Sequence, residues 1–376
     1  MNIIYCVGNL AKPGGAERVL VNKANYLSNI PDYKVTILVA NQDSKAFAYS
    51  IDQNVSVLDM RINDGQHFFF SIPVLGFFYK IKKLGKKYQK VIDEINPDII
   101  INIERGFEDF ILPDLNPARI VIRESHSSLQ AVKLISSGKF DLKKKFFAEM
   151  YNRQLKKYNQ VVLLTEEDRL ERNYKNGKIV IPNVIAPFNS KADYDVTSKR
   201  VISVGRLDTF KNFGDQILVW KEVKNIFPDW TLHIYGEGSE KPMLQKMIGD
   251  LGLQNNVFLE GRTNEVEMVL KSGAFFLFTS IAEGFGMVLV EAMQMGLPVI
   301  SYDCPCGPKD IISDGDDGYL IPLLNRQLLE TKILSLIRNE DLRVAMSKKA
   351  VEKSKQFSEE AIMPKWIELF NSLKNA

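Results

Sequence analysis

The chain has 376 residues, 45% hydrophobic and 25% charged, with 49 Lys and Arg against 46 Asp and Glu. That size suggests two ordinary domains with ample core, and the balance is that of a soluble globular protein. No window reaches the ~18 uninterrupted apolar residues that a spanning helix needs. Only three cysteines occur (Cys6, Cys304, Cys306), which argues against a disulfide framework and fits a reducing cytosol.

The opening, Met1-Asn2-Ile3-Ile4-Tyr5-Cys6-Val7-Gly8, reads as a strand and not as a signal peptide, lacking a basic region and a small-residue cleavage site. Short apolar strands are expected at Ile3–Val7, Val35–Ala40, Asp98–Ile103, Arg119–Arg123, Val161–Thr165 and Ile179–Ile181. A second series is expected at Val201–Val204, Thr231–Tyr235, Val257–Leu259, Phe275–Thr279, Val299–Tyr302 and Tyr319–Ile321. Continuous apolar runs alternating with helical patterns predict an α/β fold of parallel sheets covered on both faces. The stretch from Pro182 to Ser198 has poor periodicity and reads as a linker. The expected organisation is a domain over 1–185, a linker over 186–198, a domain over 199–357, and a terminal helix over 358–376 returning toward the first domain.

Charge is unevenly spread. Residues 1–190 hold 27 Lys and Arg against 20 Asp and Glu, whereas residues 191–376 hold 22 against 26. Lys80, Lys82, Lys83, Lys86, Lys87 and Lys90 follow the aromatic run Phe68–Tyr79 with no acid among them. A second cluster surrounds Lys143-Lys144-Lys145. Aromatic residues beside lysines suit an anionic membrane surface; the alternative is a core run followed by a solvated helix face. The modest charge and the absence of a recognised motif argue against nucleic acid.

Several turns lie where α/β folds place ligands, just beyond the carboxyl ends of strands. Gly14-Gly15 opens a helix, and Gly15 permits close backbone approach to a phosphate or sugar. Gly205-Arg206 and Lys211-Asn212 follow the strand at Val201–Val204, and two cations there can neutralise a diphosphate without a metal. Gly236 and Arg262 occupy equivalent strand ends and are candidates for holding ribose and base. The densest motif is Glu283-Gly284-Phe285-Gly286-Met287-Val288 running to Glu291. Strand, glycine corner and helix leave the N–H groups of Phe285, Gly286, Met287 and Val288 unpaired, a ready anion site. Glu283 would repel a bare phosphate, so the ligand suggested is a sugar bearing a phosphate. Cys304-Pro305-Cys306 and Asp314-Gly315-Asp316 are read as plain loop and turn, so no metal and no cofactor is expected.

Together, Gly14-Gly15, Gly205-Arg206, Lys211-Asn212, Gly236-Glu237-Gly238 and Glu283 with Glu291 resemble the retaining glycosyltransferases of family 4. The likeness is densest over residues 199–325 and implies the GT-B fold, two Rossmann-like domains with parallel sheets facing across a cleft. It implies that Glu283 hydrogen-bonds hydroxyls of the donor sugar, with the N–H groups of Phe285, Gly286 and Met287 nearby. Glu291 would accept from the ribose, and Arg206 and Lys211 would hold the diphosphate, with Gly15 approaching it. His126, in Ser125-His126-Ser127, looks like the family position at which a histidine touches the donor sugar. Cys304–Ile312 resembles a loop of bacterial galactosyl- and N-acetylgalactosaminyl-transferases for surface polysaccharide, which points to UDP. The implied activity is transfer of a hexose or N-acetylhexosamine from a nucleotide sugar to a lipid-linked saccharide, by an enzyme at the inner face of the cell membrane. Two alternatives stay open: a soluble transferase to a small sugar or sugar phosphate, and a non-catalytic sugar-nucleotide-binding subunit.

Overall fold

The computed structural model describes residues 1–11, 13–62, 74–103, 106–115, 119–129, 142–172, 177–190 and 192–375. They fall into two compact units, Met1–Val184 with Glu359–Ala376, and Ile185–Ser358.

The first unit holds β1 (Asn2–Val7), β2 (Lys34–Val39), β3 (Val55–Asp59), β4 (Ile99–Asn102), β5 (Ile120–Glu124), β6 (Gln160–Leu163) and β7 (Lys178–Val180). They form one sheet in the order β3-β2-β1-β4-β5-β6-β7, with every neighbouring pair parallel. The second unit holds β8 (Arg200–Val204), β9 (Thr231–Tyr235), β10 (Val257–Gly261), β11 (Phe275–Phe278), β12 (Val299–Asp303) and β13 (Gly318–Pro322). Its sheet runs β10-β9-β8-β11-β12-β13, again all parallel. Each unit thus holds one all-parallel, Rossmann-like sheet.

β3 is absent from the sequence expectation. It lies at the sheet edge, where only alternate residues face the core: Val55 is buried and Leu58 is exposed. A search for continuous apolar runs passes over such a strand, although the Val55/Val57 alternation marks it.

In the first unit, Phe77, Leu84, Tyr88 and Ile92 line one stripe of the helix Val74–Ile95 and are buried. Leu84, Tyr88 and Ile92 pack with Ile4, Leu38, Ile100 and Val121 of the sheet. Phe77 meets Phe110 and Phe147 edge-on at 5.1 and 4.8 Å. Phe77, from the aromatic run, is therefore core; residues 68–73 of that run lie outside the described residues. In the second unit, Val201, Leu232, Ile234, Phe275 and Ile300 pack against Trp220 and Ile217 of the helix Phe213–Ile226.

The stretch 186–198 is tied into the second unit by side-chain bonds. The Ser190 N–H and hydroxyl donate to Glu267, and the Tyr194 hydroxyl donates to the Ala274 carbonyl at 2.6 Å. Buried Arg343 donates to the Val196 carbonyl at 3.0 Å. Residues 359–375 form a helix that packs on the helix Gly15–Ser28 within the first unit. Among the described residues, no helix is long and apolar enough to cross a membrane.

Candidate active site

The register of the second sheet aligns Gly261, Tyr235 and Val204, and pairs Phe278 with Ser301. The turns holding Arg206, Gly236, Arg262 and Glu283 therefore all leave the same edge, at the carboxyl ends of the strands. After β11 the chain turns through Gly284 and Gly286 into the helix Met287–Gln294. Gly286 caps that helix with φ +92°, a conformation that only glycine adopts at low cost. The N–H groups of Phe285, Gly286, Met287 and Val288 meet no acceptor among the described residues. With the dipole of the helix behind them, they present partial positive charge at the sheet edge.

Glu283 sits beside that helix start. Its Oε1 accepts from Lys211 Nζ at 2.5 Å, with the two side chains 12% and 20% exposed. The Lys211 ammonium also lies 5.2 Å from the centre of the Phe278 ring. The loops carrying the pair are fastened together. Ile281 N–H donates to the Phe210 carbonyl at 2.8 Å. The Thr279 hydroxyl reaches the Asn212 carbonyl at 3.0 Å and accepts from Gln216 at 2.9 Å. Behind Glu283, burial and then the Glu283 charge push the Cys304 thiol well above its ordinary range, so that buried cysteine stays protonated. Cys306 is likewise buried. Glu291 follows in the second turn of the helix and is buried.

Arg206 and Lys211 are differently placed. Lys211 is half-enclosed against Glu283, whereas Arg206 is 79% exposed and paired with Asp208 Oδ2 at 2.8 Å. Arg262 is exposed at the end of β10. Gly236 has a packing reason to be glycine: its φ is +154°, and an added Cβ would stand 1.8 Å from the Gly205 carbonyl oxygen. Gly236→Ala should therefore force the ends of β8 and β9 apart, destabilising the second unit by about 3 kcal/mol. A thermal melt checks this, and an unchanged midpoint contradicts it. Asp314-Gly315-Asp316 forms a turn closed by the Asp316 N–H on the Ser313 carbonyl at 3.0 Å, with Asp314 accepting from Leu320 N–H.

In the first unit, Gly15 begins the helix Gly15–Ser28 and is exposed. His126 lies just past β5, 10% exposed, with Nε2 3.3 Å from Glu124 Oε1. Glu124 is fully buried and ion-paired with Lys23, and the Lys23 ammonium sits 3.9 Å from the Trp366 ring centre. The loop holding His126 is pinned by Arg172, which donates to the Ser127 carbonyl at 2.7 Å and the Ser125 hydroxyl at 3.1 Å. Arg172 is in turn paired with Asp168 at 2.9 Å, and Asp168 accepts from Leu129 N–H at 2.8 Å. Lys23, Trp366, Arg172 and Asp168 were not singled out from the sequence. Lys23 did carry a signal: a lysine at the buried spacing of Leu20, Ala24 and Leu27 needs a partner anion.

Residues 188–353 match the family of glycosyl transferases group 1. That stretch is therefore similar to a group 1 glycosyltransferase domain. It is 26% identical to an uncharacterized glycosyltransferase of Haemophilus influenzae over 96% of this chain and 98% of that one. It is 35% identical to a poly(ribitol-phosphate) alpha-N-acetylglucosaminyltransferase of Staphylococcus aureus, over 63% of this chain but only 48% of that protein. A third relative, from Campylobacter jejuni, is N-acetylgalactosamine-N,N'-diacetylbacillosaminyl-diphospho-undecaprenol 4-alpha-N-acetylgalactosaminyltransferase, 26% identical over 94% of both chains. Among solved structures, a mutant TarM of S. aureus in complex with fondaparinux, alpha-GlcNAc-glycerol and UDP superposes with a TM-score of 0.77 at 20% identity. That match covers 98% of this chain and 99% of TarM and establishes the shared fold. The matched stretch contains Glu283, Glu291, Lys211 and the free helix start.

Proposed function

We propose that this chain is a retaining family 4 enzyme that moves a hexose or N-acetylhexosamine from a UDP-sugar to a lipid-linked saccharide in bacterial surface polysaccharide synthesis. The observation that carries the reading is the Lys211–Glu283 pair beside the unpaired N–H groups of residues 285–288. A cation and four donors suit a diphosphate, and a carboxylate among them suits sugar hydroxyls. Lys211 and Glu283 neutralise each other in the ligand-free protein, and the donor's phosphate and sugar take over as their respective partners. Glu291 accepts from the ribose, Gly236 and Arg262 border the nucleoside, and Arg206 swings from Asp208 to the diphosphate. In the first unit, Gly15 and His126 keep the roles that the family resemblance implies for them.

The reaction breaks the bond between the anomeric carbon and the phosphate oxygen and forms one to the acceptor oxygen on the same face. Of the two first-unit carboxylates that the sequence offers as nucleophiles, Glu124 ends β5 buried against Lys23 and is no free nucleophile; Glu104 lies outside the described residues. Front-face attack through an oxocarbenium-like state fits, with the departing phosphate taking the acceptor's proton. The protein then supplies position and charge. Incubating the chain with a panel of nucleotide sugars and following nucleotide release tests this. Slow hydrolysis of UDP-hexoses or UDP-N-acetylhexosamines, with the anomeric configuration kept, is expected. UDP binding without hydrolysis or transfer would favour a non-catalytic binding subunit.

The membrane part rests on the helix Val74–Ile95. At 100° per residue, Leu75, Phe78 and Tyr79 share its outer face with Lys82 and Lys86, and all five are exposed. Apolar rings beside ammonium groups suit the headgroup region of an anionic leaflet, at roughly 1 kcal/mol per lysine near the surface. The chain should float with phosphatidylglycerol vesicles, and Lys82→Glu with Lys86→Glu should abolish most of that binding. Wild-type protein that stays at the bottom of the gradient would instead favour a small soluble acceptor.

A further inference from the structure

Glu124 and Arg123 are consecutive on β5 and point to opposite faces of the sheet, both fully buried. Arg123 is occupied structurally: its Nε meets Asp109 at 2.6 Å and its Nη1 donates to the Asn102 carbonyl at 3.1 Å. Glu124 has a different setting. One carboxylate oxygen takes the Lys23 ammonium and the other faces His126 Nε2 at 3.3 Å. Lys23 is itself enclosed by aromatic faces, 3.9 Å from the centre of Trp366 and 5.4 Å from that of Tyr5. Removing two charges from water is expensive, and apolar packing in place of a buried ion pair is often as stable or more so. The arrangement therefore does something that apolar packing would not: it leaves a fixed carboxylate oxygen against the ring of His126. The backbone beside that ring is independently pinned, since Ser125 N–H donates to the Val162 carbonyl at 3.0 Å and Arg172 holds Ser125 and Ser127.

We propose that Lys23, Glu124 and Trp366 form a buried brace that fixes the imidazole of His126 in its working orientation, making the terminal helix a positioning element for the reaction. The proposal rests on the reading that His126 serves glycosyl transfer. Trp366 lies 240 positions along the chain from His126 and is linked to it through Lys23 and Glu124. Glu124→Gln keeps the shape but weakens the hold on Lys23 and on the ring. Trp366→Leu removes the cap on Lys23, whereas Trp366→Phe keeps an aromatic face there.

The test is a double-mutant cycle read on kcat and KM, with UDP-glucose and UDP-N-acetylglucosamine as donors and a thermal melt of each variant. Glu124→Gln should lower kcat about 10- to 100-fold with the donor KM within about threefold, because placement of the ring and not donor affinity is lost. Trp366→Leu should lower kcat about fivefold, and Trp366→Phe should recover most of it. In a His126→Ala background, Glu124→Gln should change kcat less than twofold while its thermal penalty persists. Should Glu124→Gln fail to fold, the neutral pair Lys23→Met with Glu124→Gln makes the same measurement. Folded brace variants with wild-type kcat, or an equal kcat loss with and without His126, would overturn the brace. Wild-type turnover in His126→Ala would overturn the role of His126, and the brace with it.

Discussion

Glu283→Ala should lower turnover roughly 100-fold, equivalent to ~2.7 kcal/mol of transition-state stabilisation. The expectation follows from where charge moves. As the sugar–phosphate bond breaks, the ring becomes electron-poor and the phosphate gains charge, so a carboxylate on the sugar and a cation on the phosphate both strengthen their interactions in the transition state. Glu283 and Lys211 are a carboxylate and a cation held 2.5 Å apart on two loops that the Phe210 carbonyl and Thr279 hydroxyl fasten together. The effect should appear in kcat more than in donor KM, as for an interaction made mainly in the transition state. Glu283→Gln should recover part of the loss, because the amide still accepts from a hydroxyl but carries no charge. Steady-state kinetics on the two variants checks both statements.

Lys23→Met should destabilise the first unit by about 3–5 kcal/mol, since it strands the Glu124 charge in the core. For a unit of this size that lowers the unfolding midpoint by roughly 6–20 °C. Lys23→Met combined with Glu124→Gln should be markedly less harmful, because no unpaired charge remains. The same pair predicts acid sensitivity. Burial pushes the Glu124 carboxyl up, but Lys23 and then His126 outweigh it and hold the group down at about 2, against 4.5 for a free glutamate. A carboxyl whose folded value is depressed contributes its stability above the unfolded value and loses it as pH falls toward the folded one. The first unit should therefore lose stability between about pH 4.5 and pH 2, and Glu124→Gln should flatten that part of the curve. Denaturant midpoints measured across this range decide the matter.

The sheets were legible because parallel strands buried on both faces leave short continuous apolar runs such as Ala274–Phe278, whose length and flanking turn residues favour strand over buried helix. β3 was not, because an edge strand with one exposed face writes only the weak alternation of Val55 and Val57. In the second unit the densest motif was also the best placed, since a glycine corner between a strand and a helix constrains geometry strongly. The direct pairing of Lys211 with Glu283 was not visible, because 72 residues separate them and only the parallel register brings β8 and β11 together. Nor was the exposure of Arg206, which depends on a local partner, Asp208, two positions away. The surroundings of His126 were hidden for the same reason as the Lys211 pair: Lys23, Glu124 and Trp366 come from three distant segments. Aromatic residues ahead of the lysines misled in one respect, since Phe77 is core while Phe78 and Tyr79 are exposed.

The central claim is that one corner of the second unit divides its work, with Glu291 serving the nucleotide and Glu283 the transferred sugar. Calorimetric titration of UDP into the wild type, Glu291→Ala and Glu283→Ala tests it most directly. Glu291→Ala should weaken UDP at least tenfold, about 1.4 kcal/mol, whereas Glu283→Ala should leave it within about threefold. Equal or negligible effects of the two substitutions on UDP affinity would contradict the assignment.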